Sequence, residues 1–382
     1  MFDSFDPDSA PGNIMLLCGA GASGYLGLPT LDDILERSIL ANDEVAHRIR
    51  AIKNAIETNR FGRAAFEELI VKLRNYLDIT QLIRTDSLYR NEFGQIPQSV
   101  FSGEVERKWK EALIKCYRIL LEEYGPQKIL HESREFKTML HLLEELTKLN
   151  SGKLHIYTTN YDCSYQVLSS HARNLTFYTH ISPGKGEFSE RWYRANPFVE
   201  NADCPSVYLH RLHGCIAWFN DGQESGSLIR EIWGAGEDLE IIDDDYLHKM
   251  CIKLIASQLI GSNPAFSLAF EEFARHLNEV QTLLIWGYSF RDLEVLRLIN
   301  HAYANRKKPL SIVYIDPYLR ETAARENIQR TLLNAPIHQV DKNFQPKQID
   351  WKPTDGHDML VETVIKSVKN ANHGKKEKRR NG

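Results

Sequence analysis

The chain has 382 residues, of which 42% are hydrophobic and 26% charged, and its formal net charge is −4. That balance describes a globular chain long enough for one large domain or two ordinary ones, and it excludes an overall polycation that coats nucleic acid. No run of about 18 apolar residues is present, so no membrane span is expected.

The N-terminus is acidic and lacks a basic segment followed by an apolar core, so no secretory leader is expected. The six cysteines are Cys18, Cys116, Cys163, Cys204, Cys215 and Cys251, and none lies in a Cys-x-x-Cys pair. A zinc ribbon and a disulfide framework are both disfavoured, and a reducing cytoplasm is the expected compartment.

Residues 1–12 are polar, carry Pro7 and Pro11, and read as a loose lead-in. The first strand is expected at 13–18. It runs into Gly19-Ala-Gly21-Ala-Ser23-Gly24, a glycine-rich turn that leads towards a helix. Glycines allow a sharp turn and a close backbone approach, and a helix N-terminus attracts an anion. The spelling Gly19-x-Gly21-x-x-Gly24 fits a dinucleotide fingerprint, but a bare tight turn is the other reading. No Lys-Ser or Lys-Thr pair follows, which argues against a triphosphate-binding P-loop. Gly27-Leu-Pro-Thr30 then breaks the chain, and Thr30 can cap a helix from about Leu31.

From there to about 150 the pattern is helical. Phe66, Leu69, Ile70, Leu73 and Leu77 recur at three- and four-residue spacing, as do Leu113, Tyr117, Leu120 and Leu121, and Phe136, Met139, Leu140, Leu143 and Leu146. Each is a core-facing stripe. Residues 91–97 read as a loop. After Gly152 short β-branched and aromatic runs take over, at 154–159, 207–212, 282–286 and 310–315, with helices expected at about 265–279 and 291–305. Such alternation predicts an α/β fold, a Rossmann-like parallel sheet with helices on both faces, plus a helical insertion domain. The expected division is 1–40 with 151–345 as the nucleotide-binding domain, 41–150 as the insertion, and 346–382 as a C-terminal extension. The extension ends in the basic run Lys375-Lys-Glu-Lys-Arg-Arg380, read as a solvated tail with a nucleic-acid or partner contact as the sharper reading.

The polar or glycine-rich words all fall at the predicted carboxyl ends of strands, where ligands sit in such sheets. In order these words, with the Gly27-Leu-Pro29 turn, are Gly19-Ala-Gly21-Ala-Ser23, Gly27-Leu-Pro29, Thr159-Asn160-Tyr-Asp162, His213-Gly214 and Gly287-Tyr-Ser289. Together they resemble the sirtuin superfamily. Two departures stand out: Leu31-Asp32 replaces the usual Phe-Arg, and the four zinc cysteines are missing. With a helical block in place of the ribbon, the chain resembles the bacterial sirtuin-like NADases of antiphage defence. By size and layout it resembles the sirtuin-like partner of a HerA-type ATPase.

The resemblance implies NAD+ as substrate, hydrolysed at its nicotinamide N-glycosidic bond, with no zinc and no further cofactor. Asn160 and His213 are then the catalytic pair: an amide that orients water or ribose, and an imidazole that takes a proton near neutral pH. Thr159 and Asp162 would bind substrate, and Asp162 alternatively caps the next helix. Gly19, Ala20, Gly21 and Ser23 would hold the diphosphate, Gly287 and Ser289 would contact phosphate or the adenosine ribose, and Asp316 would bond the adenosine ribose hydroxyls, with a turn-forming Asp-Pro as its other reading. Arg291 and Asp292 read as a helix start. His210 reads as structural, and Tyr157, Tyr161, Trp218 and Trp286 read as core. A dehydrogenase would need a second strand with an acidic end about 20 residues after the glycines, where Ala41-Asn-Asp-Glu-Val-Ala-His47 reads as helix or loop. Two further alternatives are a non-catalytic NAD or ADP-ribose binder and an NAD-dependent deacylase or ADP-ribosyltransferase. A homo-oligomer is expected.

Overall fold

Five successive apolar residues, Ile14–Cys18, form β1 and are buried throughout. In the computed structural model this strand lies in the middle of a parallel sheet. The structure describes residues 13–31, 33–34, 47, 65–85, 103–179, 181–182, 187–188, 205–220, 229–231, 250–252, 264–306, 310–316, 326, 347–349 and 357–373. The lead-in, the expected loop at 91–97, most of the 41–47 segment and the basic tail fall outside them.

The sheet also contains β2 (Lys153–Thr158), β3 (Thr176–Tyr178), β6 (Ser206–Arg211), β10 (Thr282–Trp286), β11 (Ser311–Ile315) and β12 (Lys347–Gln348). Its described strands run β12-β11-β10-β1-β2-β6-β3, and every pairing is parallel. The chain builds outward from β1 through β2 to β6, then returns to β1's other side with β10. The crevice between β1 and β10 is therefore the topological switch point.

Two apolar layers cover the sheet, as alternation along each strand requires. On one face Ile14, Leu16, Leu154, Ile156, Val207 and Leu209 pack with residues of the helices Arg134–Leu149, Ser164–His171 and His357–His373. On the other, Met15, Leu17, Leu283, Ile285 and Ile312 meet the helices Pro264–Glu279 and Leu293–Asn305. Asn150 fastens the start of the sheet. Its Oδ1 accepts from the Ile14 amide at 2.9 Å, and its Nδ2 donates to the Ile14 carbonyl at 2.9 Å.

The described parts of the expected helical block are helices. Ala65–Thr85 packs on Gly103–Tyr124, with the Arg74 guanidinium 5.2 Å from the Tyr117 ring centre. The block is tied to the sheet's rim, because the Tyr124 hydroxyl donates to the Pro29 carbonyl and the Tyr124 carbonyl accepts from the Cys163 amide. At the other end of the chain, Lys347–Gln348 extends the main sheet beside β11, and His357–His373 packs across β10 and β11.

A second, antiparallel sheet is absent from the sequence-based expectation. It contains β4 (Ile181–Ser182), β5 (Glu187–Phe188), β7 (Gly214–Asn220), β8 (Ile229–Glu231) and β9 (Met250–Ile252), in the order β4-β5-β8-β7-β9. Four of these strands have two or three residues, too few for period-two alternation to register. The chain passes from the parallel sheet to this one at His213-Gly214, and Gly214 takes φ +77° to make the turn. Among the described residues no helix is long and apolar enough to cross a membrane.

Candidate active site

The site grows from the carboxyl ends of β1, β2, β6 and β10. After β1, Gly19 leads into a helix of six residues, Ala20–Tyr25. The glycines here serve a close crossing of two loops. The Gly19 amide donates to the Trp286 carbonyl at 2.9 Å, and the Gly21 amide to the Gly287 carbonyl at 2.8 Å. A Cβ on Gly287 would lie 2.3 Å from the Ala22 nitrogen, and Gly287 itself sits at φ +60°. Only glycine fits there without strain. Gly24, by contrast, has open space around its Cβ position. The amides of Gly19 and Gly21 are thus already occupied. Ala20 is exposed and Gly21 half-buried on the same turn, which leaves this edge open to solvent.

The Thr-Asn-Tyr-Asp word after β2 closes on this turn. Asn160 Nδ2 donates to the Gly19 carbonyl at 2.8 Å and to Ser23 Oγ at 2.6 Å. Ser23 Oγ in turn donates to Asp162 Oδ2 at 2.5 Å. Asp162 Oδ1 accepts from the Ser164 amide at 2.8 Å, so the expected helix-start contact and a rim contact coexist in one carboxylate. Ser23, Asn160 and Asp162 are all buried. Among the described residues Asn160 Oδ1 has no hydrogen-bond partner. Thr159 is half-buried, and its amide donates to the Cys18 carbonyl at 3.0 Å.

His213 stands on the neighbouring strand end. Thr158 of β2 pairs with Arg211 of β6, so Asn160 and His213 each lie two residues past paired positions. The Tyr161 ring stacks near His213, with centres 6.0 Å apart. His213 Nε2 lies 2.5 Å from Asp292 Oδ2, and both side chains are buried. Asp292 also caps the helix Leu293–Asn305, accepting from the Glu294 and Val295 amides. Ser289 is partly exposed at the end of β10, and Asp316 is buried at the end of β11, whose Ile315 carbonyl accepts from the Gly287 amide. The rim thus brings Gly19–Ser23, Asn160 and Asp162 into direct contact. It sets His213 beside them and places Gly287, Ser289 and Asp316 along the β10 and β11 ends.

Residues that sequence reasoning missed hold this rim in place. Arg211 is 2% exposed, and its Nη1 donates to the Asp162 carbonyl at 3.1 Å and the Asn160 carbonyl at 3.4 Å. Its Nη2 donates to Gln166 Oε1. A charge within a buried strand is rare unless paired, and that was the available signal. Glu67, from the helix Ala65–Thr85, accepts from the Tyr161 hydroxyl at 2.7 Å. Burial, and then the Glu67 carboxylate, push the Tyr161 hydroxyl well above the ordinary tyrosine value. Tyr157, Tyr161, Trp218 and Trp286 are buried. The Cys18 thiol, pushed up to about 12 mainly by burial, is no nucleophile.

On the opposite face of β2 and β6, His155, His210 and His276 converge, with one ring nitrogen from each within 4.8 Å of the others. His155 Nδ1 and His210 Nε2 are 3.0 Å apart, and His276 Nδ1 lies 2.6 Å from the Tyr157 hydroxyl. Arg275 directs a guanidinium nitrogen at His276 Nε2 at 2.8 Å. That fixed cation opposes a second positive charge, and hydrogen bonds already engage both His276 nitrogens. Burial holds His155 down at about 3 and His276 well below its ordinary value, so both are neutral imidazoles.

Residues 154–337 match the model of the SIR2-like domain. That segment, a little under half of the chain, is similar to a SIR2-like domain. The match spans β2, β6, β10 and β11, and β1 with its glycine turn pairs with β2 and β10 in the same sheet. Among solved structures, a Sir2 homologue in complex with NAD is similar at 12% identity with a TM-score of 0.43, covering 93% of this chain and 90% of that one. A structure described as the basis for mechanism and regulation of Sir2 enzymes gives 12% identity and 0.39, covering 94% of each chain. A Sir2 homologue variant in complex with ADP-ribose gives 13% identity and 0.38, covering 93% of each. No curated protein matches the chain.

Proposed function

We propose that this chain is an NAD+ hydrolase that releases nicotinamide and ADP-ribose. The supporting observation is the joined network of Ser23, Asn160 and Asp162 beside His213 at the rim of a SIR2-like domain. In the reaction the bond between ribose C1′ and the nicotinamide nitrogen breaks, and its electron pair leaves with nicotinamide, which departs neutral. Positive charge builds on the sugar, as in glycoside hydrolysis. A water oxygen bonds to C1′ and loses its proton. Substrate, water and products balance as NAD+ plus water giving nicotinamide, ADP-ribose and one proton.

Asn160 is suited to orienting the water or the ribose, because its Nδ2 is anchored and its Oδ1 remains available. His213 takes the proton. Asp162 has lone pairs beyond those facing Ser23 and Ser164 and receives the nicotinamide carboxamide, with Thr159 beside it. The diphosphate lies over the turn at Ala20 and Gly21, with Ser23 buried beneath it. Because the Gly19 and Gly21 amides are occupied, Ala20 is left as the amide donor there. Gly287, Ser289 and Asp316 border the adenosine side.

Uncontrolled NAD loss kills a cell, so the activity is held in check by homo-oligomer assembly or by a HerA-type ATPase, in antiphage defence. The basic tail is the segment proposed to touch DNA. The test is nicotinamide release from NAD+ by the chain alone and co-purified with a HerA-type ATPase. Turnover that falls at least about 100-fold in Asn160→Ala and His213→Ala supports the reading. Undiminished turnover in both variants, or tight NAD+ binding without turnover in either preparation, refutes it. Release that depends on an acylated peptide assigns a deacylase instead.

A further inference from the structure

We propose that Asp292 is the positioning residue of this site, fixing His213 so that Nδ1 is the ring nitrogen that accepts the proton. The functional half of this proposal rests on the hydrolase reading. The structural half, the tautomer, stands apart from it.

Asp292 lies past the Gly-Tyr-Ser word and reads in sequence as a helix start. In the fold it does two things. Its Oδ1 accepts from the amides of Glu294 at 2.9 Å and Val295 at 3.3 Å, capping the helix Leu293–Asn305. Its Oδ2 faces His213 Nε2 at 2.5 Å. The Tyr288 hydroxyl donates to the Asp292 backbone carbonyl at 3.2 Å, which anchors the residue from a third side. With one oxygen held by two amides, the carboxylate has no freedom to turn away from the imidazole. The helix N-terminus also favours its ionised form.

An ionised carboxylate only accepts hydrogen bonds, so the nitrogen facing it carries the proton. A neutral His213 then bears its lone pair on Nδ1. Among the described residues Nδ1 has no hydrogen-bond partner. When Nδ1 takes a proton, the imidazolium that forms lies against a buried negative charge. The carboxylate stays ionised throughout and stabilises that charge, the role a third group plays behind a catalytic base. The groups facing His213 are Asp292 from the loop after β10 and the Tyr161 ring from the end of β2. Behind Tyr161 stands the Glu67 carboxylate of the helix Ala65–Thr85. Asp292 is the carboxylate in contact with the imidazole.

Asp292→Asn separates positioning from capping. Asn keeps an oxygen for the helix amides but turns an NH2 towards His213 Nε2, which forces the proton onto Nδ1. The expected result is a kcat about 10²–10⁴-fold lower, with KM for NAD+ changed less than about threefold. Asp292→Asn has no further effect in a His213→Ala background. Nitrogen NMR of 15N-histidine-labelled protein, with the His213 signals assigned from the His213→Ala spectrum, reads the tautomer without any turnover. Wild type with the proton on Nε2 and Asp292→Asn with it on Nδ1 supports the proposal. A wild-type proton on Nδ1 overturns it whatever the variants do, as does an Asp292→Asn enzyme with unchanged kcat. If wild type lacks turnover but the NMR result holds, the hydrolase reading fails and the fixed tautomer stands.

Discussion

The Tyr161 hydroxyl donates to Glu67 Oε1 at 2.7 Å across 94 positions of sequence. Tyr161 lies between Asn160 and Asp162 and stacks on His213, so this bond joins the helical block to the middle of the candidate site. Tyr161→Phe leaves the Glu67 carboxylate buried without that donor. It is expected to destabilise the chain by about 1–3 kcal/mol in denaturant titration, more than Glu67→Gln, which keeps an acceptor for the hydroxyl.

Arg211 carries the loop after β2 by donating to the carbonyls of Asn160 and Asp162. Arg211→Ala removes the guanidinium from those carbonyls and from Gln166 Oε1, and a loss of about 3 kcal/mol is expected. Arg211→Lys is expected to rescue little, since an ammonium cannot reproduce the planar fork. The urea midpoints of the two variants check this.

How the sequence reads and where it fails have physical causes. The central strands were legible because Ile14–Cys18 and Thr282–Trp286 are buried on both faces and spell continuous apolar runs. The site words were legible because glycine and polar residues interrupt those runs at the strand ends. The antiparallel sheet was not, since strands such as Glu187–Phe188 are too short to show a period. Glu67, Arg211 and Asp292 were missed or read as local features, because their partners are tens of residues away and only the fold brings them together. Asp292 shows the difficulty best: its capping bonds are local and readable, whereas its bond to His213 spans 79 positions.

Gly287 is expected to tolerate no side chain. In Gly287→Ala the left-handed backbone alone costs about 1–3 kcal/mol, and the methyl meets the Ala22 nitrogen and the Gly21 backbone, neither of which can yield freely. The thermal midpoint should fall and NAD+ affinity with it. Gly24→Ala, where the Cβ position is open, should leave the midpoint nearly unchanged.

Stability should decline with acid through the buried histidines. His155 is held at about 3 against an ordinary 6.5, and His276 is also depressed. Above pH 6.5 both folded and unfolded imidazoles are neutral, and their contribution is fully present. As pH falls below that value the unfolded chain binds protons that the folded chain refuses, down to about 3 for His155. Each group then removes about 1.4 kcal/mol per pH unit. Unfolding free energies between pH 7 and pH 4 should show a shallower slope for His155→Gln than for the parent, by about one proton.

The proposed hydrolysis of NAD+ at the rim has a direct test. Its most direct measurement is a mass balance: NAD+ consumed, nicotinamide released and free ADP-ribose formed, followed in one reaction of the active preparation. Three equal amounts are expected, with consumption lost in His213→Ala. NAD+ recovered intact, or nicotinamide released with ADP-ribose retained on protein, would contradict it.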